Sequence, residues 1–178
     1  MTAGMGPSAT VCRAVSYTHL DVYKRQMQQR LNEQLMQKTL GQGRIECADM
    51  KPKASGYRPD AIEGRHQDQD YFNRRIAPAI DGKRVAYLGP VGGSARARTL
   101  GEARALLHLI NFDEPFGLSV VEAMACGTPV IAFKRGSMPE LIEHRVTGFL
   151  VDTLDEAVEA IGGIGEIDRA SCPLLEKT

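Results

Sequence analysis

The chain has 178 residues and a mass of 19.4 kDa, with 22 Lys+Arg against 22 Asp+Glu and 43% hydrophobic residues. That is room for about one domain, with a core that needs no disulfide or metal staple. The zero net charge gives no electrostatic case for nucleic acid or an anionic membrane as partner, and no apolar run reaches the roughly 18–20 residues of a membrane span.

Charge is nevertheless uneven, with 10 Lys/Arg and 7 Asp/Glu in residues 1–68 against 12 and 15 in residues 69–178. Cys12, Cys47, Cys126 and Cys172 are widely spaced and form no CxxC, which reads as reduced thiols in a cytoplasmic protein. No long apolar stretch near the N-terminus supports a secretory signal.

Residues 1–26 show no sustained period of 2 or 3.6 and are left out of the expected fold. Val15–Gln26 resembles translated library-linker sequence joined to a contig end, a recurrent artefact of metagenomic assemblies; a disordered extension is the other reading. Residues 27–69 form a poorly defined unit. A helix is expected over 27–42, stopped by Gly41 and Gly43, and a long polar loop over 43–68.

From 70 to 178 the texture is regular. A short amphipathic helix is expected over Tyr71–Ile76. A strand over Arg84–Leu88 ends at Gly89-Pro90, and Ser94 caps a helix over Ala95–Ala103. Arg104–Ile110 is a near-continuous apolar strand, as in a sheet covered on both faces. A helix over Gly117–Cys126 is stopped by Gly127, and Thr128–Phe133 is a second buried strand. Ser137 caps a short helix over Met138–Glu143. Gly148–Val151 is a strand, and Thr153 or Asp155 opens a last helix through Ile161.

Strand and helix alternate with short loops, which predicts an α/β fold with a Rossmann-like parallel sheet and flanking helices. Ligands in such sheets bind beyond the carboxyl ends of the strands. The loops to inspect are therefore Gly89–Ser94, Asn111–Gly117 and Lys134–Ser137.

The second of these carries the chemistry. Glu114 precedes a helix and Glu122 lies inside it, seven residues between them. Pro115 suits helix entry, and Gly117 lets backbone N–H groups approach a ligand. A helix N-terminus attracts a phosphate, and an acidic residue one or two turns along can accept from ribose hydroxyls. By spacing alone the plainer readings stand beside these: Glu114 favouring the helix dipole, Glu122 facing solvent. His108 reads as a core or lining histidine, Gly92-Gly93 lacks a full GxGxxG, and Lys134-Arg135 is either a phosphate contact or a solvated pair. No cluster has metal-ligand spacing, so this segment requires no metal.

Glu114 with Phe116-Gly117-Leu118, then Glu122–Ala132 (EAMACGTPVIA), Gly136–Ile142 (GSMPELI) and Val146–Val151 (VTGFLV), resembles the C-terminal domain of the family 4 (group 1) retaining glycosyltransferases. The Arg84–Val91 and Ala103–Leu107 stretches are similar too. The resemblance runs from about Asp70 to Ile161, roughly half the chain, with several motifs in the right order.

It implies a GT-B fold, two Rossmann-like domains facing a cleft, of which this chain holds an incomplete C-terminal half. It implies transfer of a hexosyl group from a nucleotide-diphosphate sugar, with no other cofactor. Glu114 would lie beside the donor sugar as the catalytic residue. The N–H groups of Phe116, Gly117 and Leu118 would meet sugar and phosphate, and Glu122 the ribose. A front-face mechanism is expected ahead of Glu114 as nucleophile.

Two departures accompany it. Residues 27–68 show no counterpart of the family's opening strand and its Arg/Lys pair, which Lys134 and Arg135 do not replace. The N-terminal acceptor domain is also missing, and with it the identity of the acceptor and any peripheral membrane attachment. A truncated nucleotide-binding module and a fragment of a sugar-nucleotide epimerase are the alternatives.

Overall fold

The computed structural model describes residues 11–16, 44–50, 73–74, 77–81 and 85–172. In chain order these form strands Val11–Ser16 (β1), Arg44–Met50 (β2) and Val85–Val91 (β3), and helix Gly93–Glu102 (α1). Strand Ala105–His108 (β4), helix Leu118–Ala125 (α2), strand Val130–Phe133 (β5) and helix Met138–Leu141 (α3) follow. Strand Gly148–Val151 (β6) and helix Leu154–Gly163 (α4) complete the regular elements. The strands make one six-stranded sheet in the order β3-β2-β1-β4-β5-β6, parallel throughout.

The chain thus builds outward from β1 to β3, returns, and builds outward the other way from β4. β1 and β4 are neighbours in the sheet, with Ala14 opposite Leu107. Their connections leave in opposite directions, so a crevice opens at their carboxyl ends, the place where open α/β sheets bind ligands.

β4, β5 and β6 are short and almost wholly apolar (ALLH, VIAF, GFLV) because helices cover both faces. Alternation divides their side chains. Leu107, Ile131, Phe133, Phe149 and Val151 pack with Ala157, Ala160 and Ile161 of α4. Leu106, Val130 and Ala132 pack on the other face with Leu100 of α1, Val120 and Met124 of α2, and Met138 of α3. The threonine before α4 caps it: Thr153 Oγ1 accepts from Glu156 N at 3.2 Å, and Glu156 Oε2 accepts from Asp152 N at 2.8 Å. Beyond α4 the chain folds back. Arg169 donates to the carbonyls of Ala103 and Gly101, both at 2.6 Å, and to Thr128 Oγ1 at 3.1 Å.

Several boundaries differ from expectation. Val11–Ser16 and Arg44–Met50 are strands, although residues 1–26 are expected outside the fold and 43–68 as a loop. Pairing with two neighbours each makes them strands where local sequence is uninformative. β3 runs through Gly89-Pro90 to Val91, because an edge strand tolerates a residue with no N–H. Ser94 lies inside α1, whose N-cap is Gly92. Ser137 forms no side-chain cap, and α3 ends at Leu141 where Ile142 turns extended (φ −107°, ψ 119°). The helix expected over 27–42 lies outside the described residues, as does most of that over Tyr71–Ile76.

Candidate active site

The Asn111–Gly117 loop leaves the carboxyl end of β4 at the crevice and feeds α2. Two glycines set its path. Gly117 is left-handed (φ 64°, ψ 41°), and a Cβ there would lie 2.6 Å from Met138 Cε and 2.8 Å from Leu141 Cδ1. Gly136, after β5, has φ +52°, and its Cβ would lie 2.5 Å from both N and O of Glu114. Only glycine fits either position without strain. Ser137 N donates to Glu114 O at 2.9 Å, so the loops after β4 and β5 are joined backbone to backbone. Arg135 reinforces the join: its guanidinium donates to Asn111 Oδ1 and lies 3.8 Å from Asp113 Oδ1.

Glu114 is half-buried, and its Oε1 accepts from Gly117 N at 3.3 Å. Phe116 and Leu118 stand out, 73% and 63% exposed. Val120 N and Val121 N both reach Gly117 O, at 2.9 and 3.1 Å. The N–H groups of Leu118 and Ser119 open the helix, before intrahelical acceptors are available. Glu122 follows Leu118 by four residues, so the two share a face, about 6 Å apart along the axis. Its Oε1 pairs with Arg96 Nη2 of α1 at 2.9 Å.

The expected site residues are therefore one surface. Glu114, Phe116, Gly117 and Leu118 form the rim of the crevice, and Glu122 lies one turn behind. Glu122 is not a free solvent-facing carboxylate but half of an ion pair. Arg96 is the residue sequence reasoning missed: nothing local ties it to a position 26 residues later, and only the side-by-side packing of α1 and α2 does so.

His108 is 1% exposed, with Nδ1 3.4 Å from Ser119 Oγ and Nε2 without a partner. Burial lowers its pKa to about 4, so the ring is neutral and supports the first turn of α2 from below. Lys134 and Arg135 line a cavity of about 530 Å³ with Asn111, Asp152 and Thr153, beside the Glu114 loop. Among the described residues no three His, Cys, Asp or Glu side chains gather as a metal site, and no helix is long and apolar enough to cross a membrane. Cys126 and Cys172 form no disulfide.

The family model described as Glycosyl transferases group 1 matches residues 61–164, which include the whole of this surface. The chain belongs to that family. Residues of the chain are 39% identical over 72 positions to the N-acetyl-alpha-D-glucosaminyl L-malate synthase of Bacillus anthracis, covering 40% of the chain and 18% of the relative. They are 38% identical over 84 positions to the D-inositol 3-phosphate glycosyltransferase of Mycobacterium marinum, covering 46% and 18%. The chain thus matches under a fifth of the length of these curated relatives.

Among solved structures, Anabaena Alr3699/HepE in complex with UDP-glucose aligns with a TM-score of 0.66 at 23% identity, over 92% of this chain and 43% of that one. The sucrose-phosphate synthase of Thermosynechococcus elongatus aligns at 0.60 and 24%, over 95% and 39%. These likenesses establish the fold of this group 1 chain: one Rossmann-like unit of the GT-B type, with a parallel sheet and flanking helices.

Proposed function

We propose that the chain is the donor-binding unit of a retaining, family 4 type hexosyltransferase working in the cytoplasm on a nucleotide-diphosphate sugar. One observation carries this: two half-buried carboxylates, Glu114 and Glu122, flank the first turn of α2 at the switch-point crevice. The arrangement suits a ligand with a polyhydroxylated ring at each end and a diphosphate between them. Glu114 faces the hexose hydroxyls, the Phe116–Leu118 backbone faces the diphosphate, and Glu122 faces the ribose.

Charge grows on the diphosphate as the glycosidic bond breaks, and fixed N–H donors at a helix N-terminus stabilise it where it develops. In the described state Gly117 N already has an acceptor, Glu114 Oε1. A phosphate that takes this N–H releases the carboxylate for a sugar hydroxyl, so one exchange prepares both ends of the site. The scheme asks no metal of this segment. That Alr3699/HepE was crystallised with UDP-glucose on the same fold supports the donor assignment. Acceptor-side groups lie outside the matched stretch, so the 178-residue chain by itself is expected to bind donor and turn it over little.

Calorimetric titration with UDP, GDP and ADP, and with their glycosyl derivatives, tests the proposal. Glu122→Gln is expected to weaken the nucleotide about tenfold, the scale of a hydrogen bond to a charged group. Glu114→Gln is expected to reduce the extra affinity that the sugar adds to the diphosphate, and mass spectrometry is expected to find no glycosyl-enzyme. No heat from the unsubstituted chain at millimolar ligand would sink the proposal. A trapped adduct on Glu114 would replace positioning by covalent catalysis.

A further inference from the structure

Glu122 and Arg96 come from different helices, α2 and α1. Arg96 Nη2 lies 2.9 Å from Glu122 Oε1, with the side chains 24% and 35% exposed. Arg96 is in the first turn of α1, directly after β3, and α1 and α2 share one apolar cluster through Leu100, Val120 and Met124. The guanidinium is therefore delivered by a packed helix. Oε1 is the Glu122 oxygen that meets the guanidinium.

A glutamate on a helix surface has three side-chain torsions, and holding it in one geometry for a ligand costs entropy. A guanidinium that already holds one carboxylate oxygen removes much of that cost before the ligand arrives. Carboxylate oxygens accept, which is what a vicinal diol, a pair of O–H donors, requires.

We propose that Arg96 is the positioning residue for the ribose contact: it holds Glu122 by Oε1 and presents Oε2 to the 2′,3′-diol of the nucleotide. This rests on the donor-binding role proposed for Glu122. Arg96 itself touches no ligand and acts through the carboxylate.

The test compares nucleotides with and without the diol on the full chain. Arg96→Gln is expected to weaken UDP, GDP or ADP about fivefold, the upper range of a partly exposed ion pair, and to leave the 2′,3′-dideoxy counterparts unchanged. Arg96→Lys is expected to recover part of the loss, because an ammonium still pairs with the carboxylate but without the planar fork. Arg96→Gln added to Glu122→Gln is expected to cost nothing further.

Equal losses for ribo- and dideoxynucleotides would overturn the proposal, since they mark a general structural role. So would unchanged affinity in Arg96→Gln, or additive losses in the double variant. Failure of the unsubstituted chain to bind any nucleotide falls instead on the donor-binding role, and removes this inference with it. Thermal melts of each variant separate misfolding from loss of the contact.

Discussion

The two halves of the sheet differ in strand length, sequence and connection. β4, β5 and β6 are four residues each, buried on both faces and joined by short loops and helices. β1 and β2 are six and seven residues long, carry charged residues such as Arg13, Glu46 and Asp49, and are separated by 27 intervening residues. Buried apolar side chains pack the first set, and the second pairs in parallel with its neighbours, with a register shift between Cys47 and Asp49. The crevice lies where the halves meet, yet almost all the residues proposed for its chemistry come from the β4–β6 side. The other side supplies Arg96, through the helix after β3.

The strongest way to break this comparison is Gly136→Ala. A methyl group meets two backbone atoms of Glu114 at 2.5 Å while the residue is held at positive φ, for a cost of roughly 4 kcal/mol. Denaturant unfolding is expected to show that loss together with loss of nucleotide binding, because the β5 loop carries the Glu114 loop with it. An unchanged midpoint would mean the two loops move independently.

His108→Phe probes the seam. The folded pKa of about 4 lies below the ordinary 6.5, so the unfolded chain takes up the proton first. Stability is therefore full above about pH 6.5, falls as pH drops towards about 4, and levels below that. The total loss is roughly 3 kcal/mol. The phenylalanine variant is expected to lack this acid limb, which unfolding at stepped pH would reveal; a limb of unchanged size would place the titration elsewhere.

Thr153→Ala has the smallest expected effect, about 1 kcal/mol from the lost cap of α4. The helix that Thr153 caps packs on the face of the sheet away from α2. The melting temperature is expected to fall with nucleotide affinity unchanged, and a fall in both would erase the distinction between scaffold and site.

Legibility in the sequence follows the same division. Apolar runs such as Val130–Phe133 announce buried strands, and Thr153 announces the helix it caps. Arg44–Met50 gives no such signal, because its strand character comes from neighbours distant in sequence. Pro90 misleads, since a residue that normally ends a strand is harmless at an edge. Ser137 misleads in a different way. It sits where a cap belongs, but its N–H is committed to Glu114 O and its Oγ is buried without a partner. Glu114, Gly117 and Glu122 are legible as a spaced set, whereas Arg96 becomes visible only once α1 and α2 are packed together.

The loop at the crevice alternates positions of opposite tolerance. Gly117 is wedged against Met138 and Leu141, while Phe116 and Leu118 on either side of it project outward. A side chain exchanged at 116 or 118 therefore changes what the loop shows to solvent, while one added at 117 must move Met138 and Leu141.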